Sequence, residues 1–168
     1  MRNLVLAGFM GTGKSTVGRL IAERLNVPFL DTDLEIERIA GRTVAEVFTR
    51  SGEAAFRRLE AEVCLRAAAG QNQIISTGGG ALLNPQIYAA LAATGVMVRL
   101  SCDLDEIIRR VGLDGSRPLF AGDPERLAQL LTSRAGIYER LPHHVDTTGC
   151  TPAEVAERVI ELWKQHAN

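Results

Sequence analysis

The sequence has no apolar run approaching the roughly 20 residues that cross a bilayer as a helix. It opens without a charged-then-apolar leader: Met1-Arg2-Asn3 runs directly into Leu4-Val5-Leu6-Ala7. Cysteines are few and odd in number. Cys64, Cys102 and Cys150 lie far apart, form no CxxC and pair with no histidine at zinc-site spacing. That excludes a disulfide framework and fits reduced thiols. A basic excess is also missing: 19 Lys and Arg stand against 20 Asp and Glu, a net charge of −1. This argues against a nucleic-acid partner but leaves room for a local basic pocket. No repeat, low-complexity tract or linker divides the chain. A soluble cytoplasmic protein with no membrane partner is expected.

What is present suits one domain. The 168 residues are 46% hydrophobic and 23% charged, enough to bury roughly 70% of the unfolded surface without staples. Short apolar runs alternate with longer amphipathic segments, the pattern of βαβ units around a parallel sheet. Strands are expected at Leu4–Ala7, Val27–Leu30, Gln73–Ser76, Val96–Leu100 and His143–Asp146. Helices are expected at Val17–Leu25, Leu34–Ala40, Val44–Thr49 and Glu53–Ala69, with breaks at Gly41 and Gly52. Others start at Asn84-Pro85, Asp103, Pro124 and Thr151-Pro152, each entered by a capping residue or proline. Gly112 to Asp123 reads as a long loop. Trp163 reads as a packing residue, and His143, His144 and His166 belong to no motif.

Gly8-Phe9-Met10-Gly11-Thr12-Gly13-Lys14-Ser15 matches GxxxxGK[ST] at every fixed position, between an apolar strand and an amphipathic helix. Glycines let several backbone N–H groups curl toward one phosphate, and the helix adds its positive end. Lys14 is expected to reach the β- and γ-phosphates, and Ser15 to offer its hydroxyl to Mg²⁺. The loop alone names no reaction, because switches, motors and kinases share it. No guanine-specifying NKxD is present. Asp146-Thr147-Thr148-Gly149 imitates a GTPase DxxG, but its place before the last helix marks a strand end and turn.

Asp31-Thr32-Asp33 follows the second strand, at the sheet edge where ligands bind beside the phosphate loop. If the strand persists, alternation sends Asp31 and Asp33 to one side. One carboxylate would then serve the metal's water shell and the other an acceptor hydroxyl. A helix cap at Asp33 is an equally good reading of these three residues alone. Arg57 and Arg58 lie within a helix, where Arg58 reads as solvated. Arg117 lies in the long loop and is a candidate lid residue over the γ-phosphate. Arg134 lies on the helix after it. Each suits phosphate or carboxylate through its planar fork.

GFMGTGKST, DTD, FRRLE, STGGGA, RPLF and RAGIY occur in this order over nearly the whole chain. Together they resemble the shikimate kinase family. The resemblance implies a three-layer α/β/α P-loop fold with a five-stranded parallel sheet. It implies a helical substrate-binding subdomain at about 33–61 and a mobile lid at about 112–123, within a single domain. The implied reaction is ATP-dependent phosphorylation of the 3-hydroxyl of shikimate, with Mg²⁺ as cofactor and a monomer as the working unit. Asp33 matches the residue that holds the ring hydroxyls and serves as base. Ser15 and Asp31 match the metal-side pair, direct and through water. Arg57 and Arg134 resemble the pair that grips the shikimate carboxylate, and Gly79 the glycine whose backbone approaches it. Gly11, Thr12, Gly13, Lys14, Ser15 and Thr16 would hold ATP, with Arg117 at its phosphates and Arg110 on adenine. One departure is Gly149-Cys150-Thr151-Pro152, where many members place a basic or amide residue near adenine. Two rivals stand beside this reading: a gluconate-type kinase, which needs no paired arginines, and a nucleotide-binding regulator without transfer activity.

Overall fold

A computed structural model describes residues 1–113 and 123–167. Five strands form one sheet: β1 (Asn3–Ala7), β2 (Phe29–Asp31), β3 (Ile74–Ser76), β4 (Gly95–Ser101) and β5 (His143–Asp146). Their spatial order is β2-β3-β1-β4-β5, and every pairing is parallel. Parallel neighbours need crossovers, and six described helices lie in them: α1 (Lys14–Leu25), α2 (Thr32–Ala40), α3 (Val44–Ala69), α4 (Pro85–Thr94), α5 (Leu104–Leu113) and α6 (Pro124–Glu139), while α7 (Pro152–His166) follows the last strand. A single 3-10 turn at Ala81–Leu83 precedes α4.

The central strand is buried on both faces, so it reads as a continuous apolar run. Alternation divides it between two cores. Leu4 and Leu6 pack with α1 through Val17 and Ile21, and with α7 through Val155, Val159 and Trp163. Val5 and Ala7 face Cys64 of α3, Ile87 of α4, Ile107 of α5 and Tyr138 of α6. This is the expected three-layer α/β/α architecture. A smaller third core, Ile36, Val47, Phe56 and Val63, ties α2 to α3. Trp163 is buried as expected, and its indole N–H donates to the Arg2 carbonyl at 3.0 Å.

Several boundaries moved for local reasons. Helix α1 starts at Lys14, not Val17, because its first turn faces the phosphate loop and carries no apolar signal. The break expected at Gly52 is present: at φ 83° and ψ 168° its backbone is non-helical, and α3 is two helical pieces joined there at a kink. Asn84 caps α4 by accepting from Gln86 N–H, with Pro85 in the first turn. Thr151 and Glu154 close α7 with a reciprocal capping box. Strand β5 ends at Asp146, whose carboxylate accepts from Thr148 N–H and Oγ1 at 2.9 and 2.8 Å. The DxxG imitation is therefore a strand end and turn.

Candidate active site

The phosphate loop leaves the central strand at the carboxyl edge of the sheet, where β1 lies between β3 and β4. Gly8 passes so close to β4 that a side chain would collide with the Leu100 carbonyl. Gly13 precedes α1 in the left-handed region, φ 91°, and offers no capping side chain. Helix α1 has no acidic residue in its first turn. Its N-terminal amides and positive dipole end thus meet no competing carboxylate from that turn, as phosphate binding requires. The Phe9 carbonyl shapes the loop from inside: it accepts from Thr12 Oγ1 and from Lys14 Nζ, both at 2.8 Å.

Arg110 of α5 reaches across the loop's rim. Its guanidinium bonds Glu106 at 2.9 Å, the Thr147 hydroxyl and carbonyl at 3.2 Å each, and the Gly11 carbonyl at 3.3 Å. It joins the phosphate loop to the turn after β5, the place expected for adenine.

Asp31 links the nucleotide side to the acceptor side. One carboxylate oxygen, Oδ2, accepts from Ser15 Oγ at 2.5 Å, and Ser76 Oγ lies 3.5 Å from the same hydroxyl. The other, Oδ1, caps α2 by accepting from Asp33 and Leu34 N–H. The strand therefore stops at Asp31, and the cap is Asp31 rather than Asp33. Thr32 is buried as the first helical residue, and its hydroxyl accepts from Gly78 N–H at 2.9 Å. Asp33 reaches the site from the first turn of α2, not by strand alternation. Among the described residues no three His, Cys, Asp or Glu cluster as an all-protein metal cage. The Ser15 hydroxyl and Asp31 carboxylate instead form a sparse oxygen set, which suits Mg²⁺ that takes its other ligands from phosphates and water.

Gly78-Gly79-Gly80 forms the floor around which the remaining groups gather. A methyl group on Gly78 would stand 2.6 Å from Asp33 Oδ1 and 3.2 Å from Glu60 Oε1. On Gly79 it would lie 3.2 Å from Arg134 Nη1. On Gly80 it would lie 3.1 Å from Arg57 Nη1 and 3.5 Å from Arg134 Nη2. The absence of side chains here lets Asp33, Arg57 and Arg134 converge from α2, α3 and α6. Arg58, by contrast, is exposed, as expected.

Two contributors went unassigned in the sequence. Glu60 is 2% exposed and pairs with Arg57 Nη1 at 2.6 Å. Burial raises its carboxyl above the ordinary value, with Asp33 nearby adding to the rise and Arg57 opposing it. The available signal was phase: Phe56, Glu60, Val63 and Ala67 all fall on the buried stripe of α3. Tyr138 lies one turn beyond Arg134 and donates its hydroxyl to the Gly79 carbonyl. Burial raises its phenol, and Arg134 opposes the shift. Beneath them, burial pushes the Cys64 thiol up to about 12, with the carboxylates of Glu60 and Asp33 acting in the same direction. Arg117 and most of the expected lid lie outside the described residues.

A phosphate loop after the central strand, beside a glycine floor on which Asp33, Arg57 and Arg134 converge, defines a P-loop phosphotransferase. Comparison with known proteins narrows the class. The family model for shikimate kinase matches residues 10–164. The chain is 44% identical over 168 residues to the shikimate kinase of Pelotomaculum thermopropionicum, spanning 99% of this chain and 98% of that one. It is 48% identical over 166 residues to that of Desulforudis audaxviator, spanning 98% and 88%. The solved shikimate kinase from Acinetobacter baumannii in complex with shikimate superposes with a TM-score of 0.92 at 32% identity, covering 98% of this chain and 94% of that one. The chain belongs to the shikimate kinase family.

Proposed function

We propose that this site transfers the γ-phosphoryl group of ATP to the 3-hydroxyl of shikimate, giving shikimate 3-phosphate and ADP. The observation that carries the reading is the convergence of Arg57, Arg134 and Asp33 on Gly78–Gly80, beside the phosphate loop. A compact carboxylic acid with ring hydroxyls matches two forked cations facing one carboxylate across a glycine floor. In this reading Arg57 and Arg134 hold the substrate carboxylate, and Gly79 lets the ring approach the backbone. Asp33 orients the 3-hydroxyl and accepts its proton as the oxygen attacks phosphorus. Gly11 to Thr16 cradle the phosphates, and Lys14 neutralises the charge that develops on them. Arg117 takes part at the phosphates by its match to the family motif. Ser15 and Asp31 would hold Mg²⁺, which would supply positive charge against the phosphates. Arg110 lines the adenine side.

The working unit in this reading is a monomer in the cytoplasm, with residues 33–61 as the acceptor subdomain and 112–123 as the lid. None of the described helices is long and apolar enough to cross a membrane.

A coupled assay for ADP release with shikimate, gluconate or buffer alone tests the proposal. Release with shikimate only is expected. Release with gluconate in its place would identify a sugar-acid kinase, and ATP binding without acceptor-dependent ADP release would identify a nucleotide-binding protein without transfer. Asp33→Asn should keep ATP affinity while losing about 10²- to 10⁴-fold in turnover, the range for removing a general base.

A further inference from the structure

Beside the phosphate loop lies a cavity of about 300 Å³. It opens between β4, α5 and α6. Its apolar wall includes Phe9, Leu131 and Tyr138, and its polar groups include Arg99, Ser101 and Thr132. The sheet explains why a cation stands there. Along β4, Val96, Val98 and Leu100 join the core under α1 and α7, while Met97 joins the opposite core. Alternation places Arg99 and Ser101 on the Met97 face, under α6.

Arg99 is half-buried, and among the described residues no carboxylate lies within ion-pair distance of it and no group bonds it. Arg57, by contrast, is held by Glu60 and Glu53, and Arg110 by Glu106. In register beside Arg99 is His144, whose Nε2 bonds Ser101 Oγ at 2.6 Å. The carboxylate opposite Ser101, Asp146, is taken up by Thr148. A half-buried guanidinium without a counter-ion among the described residues, in a cavity lined by hydroxyls and by aromatic and aliphatic carbon, is complementary to an anion with an apolar body.

We infer that this cavity is an effector site for a small monocarboxylate with an aromatic or aliphatic body, bound by Arg99. The volume admits one ring with a short acid side chain. The wall it shares with the phosphate loop supplies the link to the nucleotide. Phe9 lines the cavity with its ring, while its carbonyl holds Lys14 Nζ and Thr12 Oγ1. An occupant that presses on Phe9 therefore acts on the residue that positions the phosphate-binding lysine. Neither Arg57 nor Arg134 lines this cavity, although Tyr138, which does, also donates to the Gly79 carbonyl of the acceptor floor.

The probe is 3-phenylpropanoate, titrated calorimetrically into the full chain with shikimate in excess, so that the Arg57–Arg134 site is blocked. Saturable binding is expected, weakened at least about tenfold in Arg99→Met and again in Ala135→Phe, which fills the cavity while keeping the arginine. At saturating probe the KM for ATP should shift at least about fivefold, a typical coupling between linked sites. The inference is overturned if no saturable binding occurs, if excess shikimate displaces the probe, if both variants bind it normally, or if the KM for ATP does not move. Direct binding is read without turnover, so failure here is distinct from failure of the assigned reaction.

Discussion

Arg57 and Glu60 face each other across one turn of α3, with Nη1 and Oε2 2.6 Å apart and the carboxylate sealed from water. The pair fixes the guanidinium that, in the proposed function, meets the acceptor's carboxylate. Burial also sets a sign for pH. A carboxyl whose folded-state pKa lies above the ordinary 4.5 binds its proton more tightly when folded. Its contribution to stability is complete below that value and is lost as pH rises through the raised one. Glu60→Gln removes this dependence. The melting temperature of the native protein, minus that of Glu60→Gln, should therefore be more positive at pH 4 than at pH 8. A flat difference would show that Glu60 is not strained by burial. At pH 7 the variant should also raise the KM for shikimate more than that for ATP, since Arg57 loses its anchor.

Gly78→Ala tests the glycine floor. The added methyl group, 2.6 Å from Asp33 Oδ1, must push that carboxylate aside. We expect kcat/KM for shikimate to fall at least about tenfold, with ATP affinity little changed, because a misplaced reacting group costs rate steeply. Normal kinetics would mean that Asp33 does not act from this position.

The two oxygens of Asp31 can be separated by substitution. Asn caps helices about as well as Asp, so Asp31→Asn should melt near the native temperature, while Asp31→Ala should lose about 1 kcal/mol. Both should need more Mg²⁺ for half-maximal activity. Unchanged Mg²⁺ dependence in both would take Asp31 out of the metal-side pair.

Tyr138→Phe deletes the donor to the Gly79 carbonyl. An acceptor left without its partner in a buried setting costs about 1–3 kcal/mol. Thermal or denaturant unfolding should show that loss, and the KM for shikimate should rise as the floor loosens. Native stability in the variant would mean that water replaces the phenol.

The sequence made the phosphate side legible because its signal is local: Gly8 to Ser15 are contiguous, and each has a fixed task. Asp31 and Asp33 were legible as a site but not in their division, because one residue more or less of strand decides which of them caps α2. Arg57 and Arg134 emerged only through family resemblance, since an arginine on a helix carries no signal of what it faces. Glu60 stayed hidden for the same reason. A carboxylate in FRRLE looks solvated until Gly78, more than a dozen residues on, is folded against it. The Arg99 cavity depends on α6 crossing β4, a long-range arrangement that no spacing in the chain announces.

The position of β1 bears on how the molecule comes into being. It is made before both of its hydrogen-bonding neighbours, residues 74–76 on one side and 95–99 on the other. Until they follow, the chain carries a complete phosphate-loop sequence with neither flank of its strand paired. Nucleotide-binding ability must arrive late and abruptly, once β4 is made and both flanks of β1 close, because contacts this distant along the chain form only after a long loop has been drawn in. Until then the most recognisable stretch of the chain is also among its least structured.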